Sequence, residues 1–127
     1  MNGEPDLSAA EEEVFDPTEA IARLAGDEEL LRDVAGVLAE EWPRHRDLLE
    51  QELAAGEAEA VARTAHSLKG VVGQFSGAAL TAGITQVERA ARAGDLAAAA
   101  AVWRAGTPAI ESFVAAVARW AAAAAPG

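Results

Sequence analysis

Between residues 57 and 75 the apolar side chains Val61, Ala65, Leu68, Val72 and Phe75 recur at spacings of four, three, four and three. That rhythm follows the turn of an α-helix and puts all five on one stripe. A stripe of this kind has to be buried against something, and the chain offers several more like it. Residues 78–93 carry Leu80, Ile84, Val87 and Ala91 at helical spacing, and residues 27–56 carry Leu31, Val34, Leu38, Trp42, Leu49 and Leu53. From about residue 96 onward, Trp103, Ile110, Phe113, Val117 and Trp120 fall on one side. No segment alternates apolar and polar residues as a half-buried strand would, so no sheet is expected.

Start and stop signals divide these stripes. "DPTEAIARLAG" reads as a short helix with Asp16 as N-cap, Pro17 at the first helical position and Gly26 as the stop. Asp27 opens the next, with Glu28 and Glu29 favouring its positive end, and Gly56 closes it. Pro43 lies inside that span and predicts a kink there. Gly94 ends the fourth helix and Asp95 is placed to cap the fifth. Within the fifth, Gly106, Thr107 and Pro108 predict an interruption, with Thr107 capping a new start and Pro108 at its first position. Connections this short favour antiparallel neighbours. The expected fold is all-α: an antiparallel up-and-down four-helix bundle with a short additional N-terminal helix. The bundle domain is expected over residues 15–124, behind an acidic flexible leader at 1–14 and ahead of a flexible tail at 125–127.

Composition narrows the function classes. At 127 residues the chain is the size of one domain, and it has no cysteine, so disulfides and thiolate metal sites are excluded. Its 21 acidic against 10 basic residues give a net charge of -11, which opposes binding to phosphate backbones, so no nucleic-acid partner is expected. An acidic surface is also ordinary for solubility. No run reaches the roughly 18 apolar residues of a membrane span, and the acidic start lacks the pattern of a signal peptide. A cytoplasmic protein with no membrane partner is expected.

The stretch "AHSLKGVVGQFSG", Ala65 to Gly77, departs from good helix composition. Each glycine in a helix interior costs about 1 kcal/mol relative to alanine, and there are glycines at 70, 73 and 77. At about 100° per residue, the apolar stripe centres roughly 140° away from His66, so the imidazole points out of the core. Its neighbours on that outer face are Ala62, Gly70, Gly73 and Gly77, with Lys69 one turn toward the C-terminus. The small residues clear an apron around an exposed histidine.

Three readings compete for that arrangement. An incidental surface histidine leaves the glycines to helix packing. A metal site would need further ligands at helical spacing, and none is present; the other histidine, His45, lies between two arginines in "EWPRHRD" and is assigned to solvent. The third reading is nucleophilic catalysis, in which a neutral ring nitrogen attacks a phosphoryl group, Lys69 offsets the charge of its oxygens, and the apron admits a second protein.

"AHSLKG" followed by a small residue at 73 resembles the signature of histidine-containing phosphotransfer (HPt) domains of bacterial multistep phosphorelays. The similarity covers about residues 15 to 120 and includes "GDEELLRDV", "EEWPRHRDLLEQELAAGEAEAVARTAH" and "VERAARAGDL". The resemblance implies His66 as phosphoacceptor, Lys69 aiding the phosphoryl group and Gly70 granting access. Glu88 sits where the family commonly has an acidic residue or glutamine bonded to the histidine's other ring nitrogen; the alternative is a solvated carboxylate pairing with Arg92 four residues on. Gln74 falls where asparagine or serine is frequent, near the phosphoryl group, or is a solvated turn residue. Gly73, Gly77, Ala62 and Arg63 complete the expected partner-binding face.

Ser76 and Gly77 depart from the family's Gly-Ala, and Val71 and Val72 from its small or polar pair. The implied function is an intermediate that accepts a phosphoryl group from a receiver-domain aspartyl phosphate on His66 and passes it to a response-regulator aspartate. The implied partner is the receiver domain of a hybrid histidine kinase, a response regulator, or both, met by a monomer. No Gly-rich phosphate loop or magnesium-holding acidic cluster is evident, so no cofactor is expected on this chain, and Mg²⁺ would come with the receiver. Two alternatives stay open: a receiver-docking module that is never phosphorylated, and the phosphoacceptor domain of a larger chemotaxis-type kinase. The dimerisation domain of a sensor kinase fits less well, because Ser67 and Gly70 stand where an acidic residue and a proline are usual.

Overall fold

The computed structural model describes residues 15–75 and 78–123, and every regular element among them is a helix. The elements are α1 (Pro17–Arg23), α2 (Glu28–Ala55), α3 (Ala58–Gly73), α4 (Ala78–Arg92) and α5 (Leu96–Ala123). The leader at 1–14, the tail at 125–127 and Gly77 lie outside the described residues. No helix among the described residues is long and apolar enough to cross a membrane.

The caps fall where the sequence puts them. Asp16 accepts the N–H of Glu19 at 3.3 Å, Asp27 that of Leu30 at 3.0 Å, and Asp95 that of Ala98 at 3.0 Å. Each side chain satisfies a donor that the first turn leaves without an intrahelical partner. At the other end of α2, Gly56 takes φ 74, which lets the N–H groups of Gly56 and Glu57 reach back to Leu53 and Glu52 at 3.2 and 3.0 Å. Asp27→Ala is expected to lower stability by about 1 kcal/mol, read as a shift in the urea midpoint at unchanged slope.

Both internal prolines are carried inside unbroken helices. Pro108 starts no new helix, contrary to the expected interruption, and Thr107 caps nothing. Its hydroxyl instead donates to the carbonyl of Trp103 at 2.6 Å, one turn back. The reason is tertiary. Trp103, Ile110, Phe113 and Val117 must all stay on one face to be buried, and they are 2, 3, 2 and 0% exposed. A break at 107 would take half of that stripe out of register, at a cost above the roughly 3 kcal/mol of an internal proline. Pro43 is tolerated likewise, between the buried Trp42 and Leu49.

His45, two residues past Pro43, corrects a second expectation. Its side chain is only 14% exposed, and Nδ1 lies 2.9 Å from the carbonyl of Glu41. The ring folds back along its own helix rather than into solvent, because position 45 sits on the flank of the α2 stripe and not opposite it.

The stripe on α3 is the centre of the core: Val61, Ala65, Leu68, Val72 and Phe75 are all 0% exposed. α2 packs on α3, α3 on α4, α4 on α5, and α5 returns to α2, while α1 rests on α2. One end is closed by Phe15, whose ring meets Phe75, Phe113 and Trp120 edge-on at centroid distances of 5.9, 6.0 and 5.6 Å. Arg32, paired with Glu28, lies 5.6 Å over the Trp120 ring and covers the same end.

Candidate functional site

Burial of the α3 stripe fixes the rotation of that helix, and rotation puts His66 outside: its side chain is 64% exposed. On the flank of α3 that faces α4 it meets a carboxylate. Glu88 of α4 is 8% exposed, one of two buried polar residues among those described, and its Oε2 lies 3.2 Å from Nδ1 of His66. Oε1 of Glu88 accepts from Nζ of Lys69 at 3.2 Å. Arg92, one turn further along α4, donates to Oε2 through Nη2 at 2.9 Å and Nε at 3.2 Å. One carboxylate thus gathers an imidazole, an ammonium and a guanidinium from two helices.

A buried carboxylate needs such company. Burial pushes the Glu88 carboxyl up, but the donors of Arg92 and Lys69 outweigh it and hold the group below its ordinary 4.5. A carboxyl whose value is depressed on folding adds stability above its unfolded value, and that stability is lost as pH falls through the folded one. Glu88→Gln is therefore expected to destabilise the chain at pH 7, with the difference from wild type shrinking steadily below about pH 4.5; urea midpoints measured from pH 7 to pH 3 check this.

An ionised carboxylate only accepts hydrogen bonds, so a neutral His66 facing it carries its proton on Nδ1. The lone pair then stays on Nε2, the nitrogen on the far side of the ring. The surface beside it is cut low. Gly70 is exposed, with open space where a side chain would begin, and a Cβ at Gly73 would only touch the Thr81 methyl at 3.8 Å. Gln74 follows the end of α3 and is exposed. Arg63 is 70% exposed and lies 3.7 Å from Glu59.

Ala62 does not belong to this open surface. It is 1% exposed, because it shares with Lys69 the flank of α3 that faces α4, and the neighbouring helix covers it. Helical geometry gives the angle from His66 but not the position of the neighbour. The sequence also points to Arg92 only as an i+4 partner of Glu88, whereas it is one of three cationic or ring groups on the same carboxylate. A further contact has no sequence signal at all: Arg23 of α1 donates to the carbonyl of Gly73 at 3.3 Å, fifty residues away, tying α1 to the end of the histidine helix. Among the described residues no group of three or more His, Asp or Glu side chains is arranged to hold a metal ion.

A family model described as the Hpt domain matches residues 33–120. No curated protein and no solved structure gives a significant match. The match begins inside α2 and ends inside α5, so it takes in the whole of α3 and α4 with His66, Lys69 and Glu88. On that match, this all-helical chain belongs to the Hpt family, the histidine phosphotransfer domains of phosphorelays.

Proposed function

We propose that His66 is the phosphoacceptor of this domain and that it exchanges a phosphoryl group with the aspartate of a receiver. The observation that carries this reading is the 3.2 Å contact of Nδ1 with the buried Glu88 carboxylate, which in the neutral imidazole keeps the proton on Nδ1 and the lone pair on Nε2 of a 64% exposed ring. Nε2 attacks the phosphorus of the aspartyl phosphate in line, the new N–P bond forms as the P–O bond to the carboxylate breaks, and the free carboxylate leaves with the receiver. The ring becomes cationic as the bond forms, and Glu88 across the Nδ1–H offsets that charge. Passing the group on is the same step in reverse, with a receiver aspartate as nucleophile.

Lys69 has a part in the same step. Its ammonium, 31% exposed, is within one turn of His66, and swinging from Glu88 toward the phosphoryl oxygens would offset their charge, while Arg92 keeps the carboxylate paired. Gly70 and Gly73 leave room for the receiver's loops, and Gln74 and Arg63 border the contact. The four long helices serve as an up-and-down antiparallel bundle that holds these groups without cofactor, with Mg²⁺ brought by the receiver. Working unit and compartment are taken to be a monomer in the cytoplasm.

The test is transfer from phosphorylated receiver domains of the same genome to the purified chain. Label that appears on the chain, resists base and is lost in acid supports a phosphohistidine carrier. Binding without label from any receiver contradicts it and favours a docking module.

A further inference from the structure

Charge is distributed very unevenly over these helices. α2 carries eight acidic residues against three arginines, whereas residues 58–92, spanning α3 and α4, carry two acidic residues against four basic ones. Of those two acids, Glu88 is buried and matched by Lys69 and Arg92. Glu59 is exposed, but it lies two turns before His66, about 10 Å along the helix axis. The four bases are Arg63 and Arg92, with side chains 70 and 59% exposed, Lys69, 31% exposed, and Arg89, exposed on α4. The Arg89 side chain makes no hydrogen bond or ion pair to any other described residue. A structural role does not explain it.

We propose that this basic face is a docking patch, set apart from the acidic α2, and that it captures a receiver through a surface that is negative around its phosphorylated carboxylate. The proposal rests on the phosphotransfer reading of His66 and goes further, naming the charge of the partner's face and the residues that select it. The physical basis is range. At 0.15 M salt the Debye length is about 8 Å, so an approaching surface senses the charges it is about to touch and not the net -11 of the whole chain. A cluster of one sign can then raise association rates by about ten- to a thousandfold, against the sign of the net charge.

The prediction separates local from total charge. Arg89→Glu and Arg104→Glu make the same change in net charge, from -11 to -13, that is, two units each. Arg104 is exposed on α5, in a depression it shares with Glu50, Leu53 and Trp103 between α2 and α5. α5 packs on α2 and α4, as α3 does, and so lies diagonally across from the histidine helix. The association rate constant of a phosphorylated receiver is measured for both variants in 0.15 M and 1 M salt, and again in the His66→Gln background to record binding without transfer. Arg89→Glu is expected to slow association about tenfold at 0.15 M salt and Arg104→Glu less than twofold, with the gap closing at 1 M, where the Debye length is about 3 Å. Equal slowing by both, no slowing by Arg89→Glu, or a gap that survives 1 M salt overturns the patch. Binding that shows the expected pattern without any transfer upholds the patch and overturns the phosphotransfer reading, so the two fail separately.

Discussion

His66→Gln is expected to accept no phosphoryl group from any receiver that labels the wild-type chain. Glutamine offers an amide in place of a ring nitrogen, and an amide has no basic lone pair with which to attack phosphorus. Other losses of activity are less informative, because the same substitution at a buried site would also disturb the fold. Here it does not. His66 is 64% exposed, Glu88 keeps Lys69 and Arg92 as partners when the imidazole is gone, and the glycines at 70 and 73 are unaffected. The variant should melt within a few degrees of wild type and still bind the receiver, so that transfer falls below detection while folding and docking persist. Label that survives on His66→Gln would mean a different acceptor.

The second large effect concerns stability. Phe75→Ala is expected to cost about 3–5 kcal/mol, the range for deleting a large aromatic from a closed core. Phe75 is the largest of the fully buried side chains, it lies two residues past the end of the histidine helix, and its ring supports Phe15 at 5.9 Å. Removing it leaves the edge-on contacts of Phe15 with Phe113 and Trp120 facing a void. For a domain of this size such a loss corresponds to a melting point lower by about 10–20 °C. Chemical denaturation and calorimetry would both report it, and a loss under about 1 kcal/mol would show that the aromatic end is not a packed part of the core.

The parts of this fold that are local in the chain could be read from its letters. The five-residue stripe of α3, the caps at Asp16, Asp27 and Asp95, and the left-handed glycine at 56 each depend on side chains a few residues apart, and each is where the pattern puts it. The exposure of His66 follows from that stripe alone. What the letters did not carry was set by neighbours remote in sequence. Pro108 with Thr107 has the form of a helix start, but the burial of Trp103 and Ile110 on one face overrides it. Ala62 is a small residue close to His66 around the helix, and only the presence of α4 makes it part of the core. His45 has the composition of a solvent-exposed stretch around it, yet its ring lies along α2. The bond from Arg23 to the Gly73 carbonyl joins two segments between which the sequence suggests no relation.

At the site the same division holds. The pairing of Glu88 with Arg92 is visible as an i+4 spacing, but its convergence with Lys69 and His66 needs the register of α4 against α3. That convergence gives the carboxylate its double use, as a buried charge held ionised by its neighbours and as the group that faces Nδ1.

The most direct test of the central claim is the identity of the phosphorylated atom. The chain is labelled with ¹⁵N at its histidines, charged by a phosphorylated receiver, and examined by NMR for coupling between phosphorus and each ring nitrogen. Coupling at Nε2 of His66, with Nδ1 still protonated, is the expected result. Phosphorus on Nδ1, the nitrogen that faces Glu88, or no phosphohistidine at all, would contradict it.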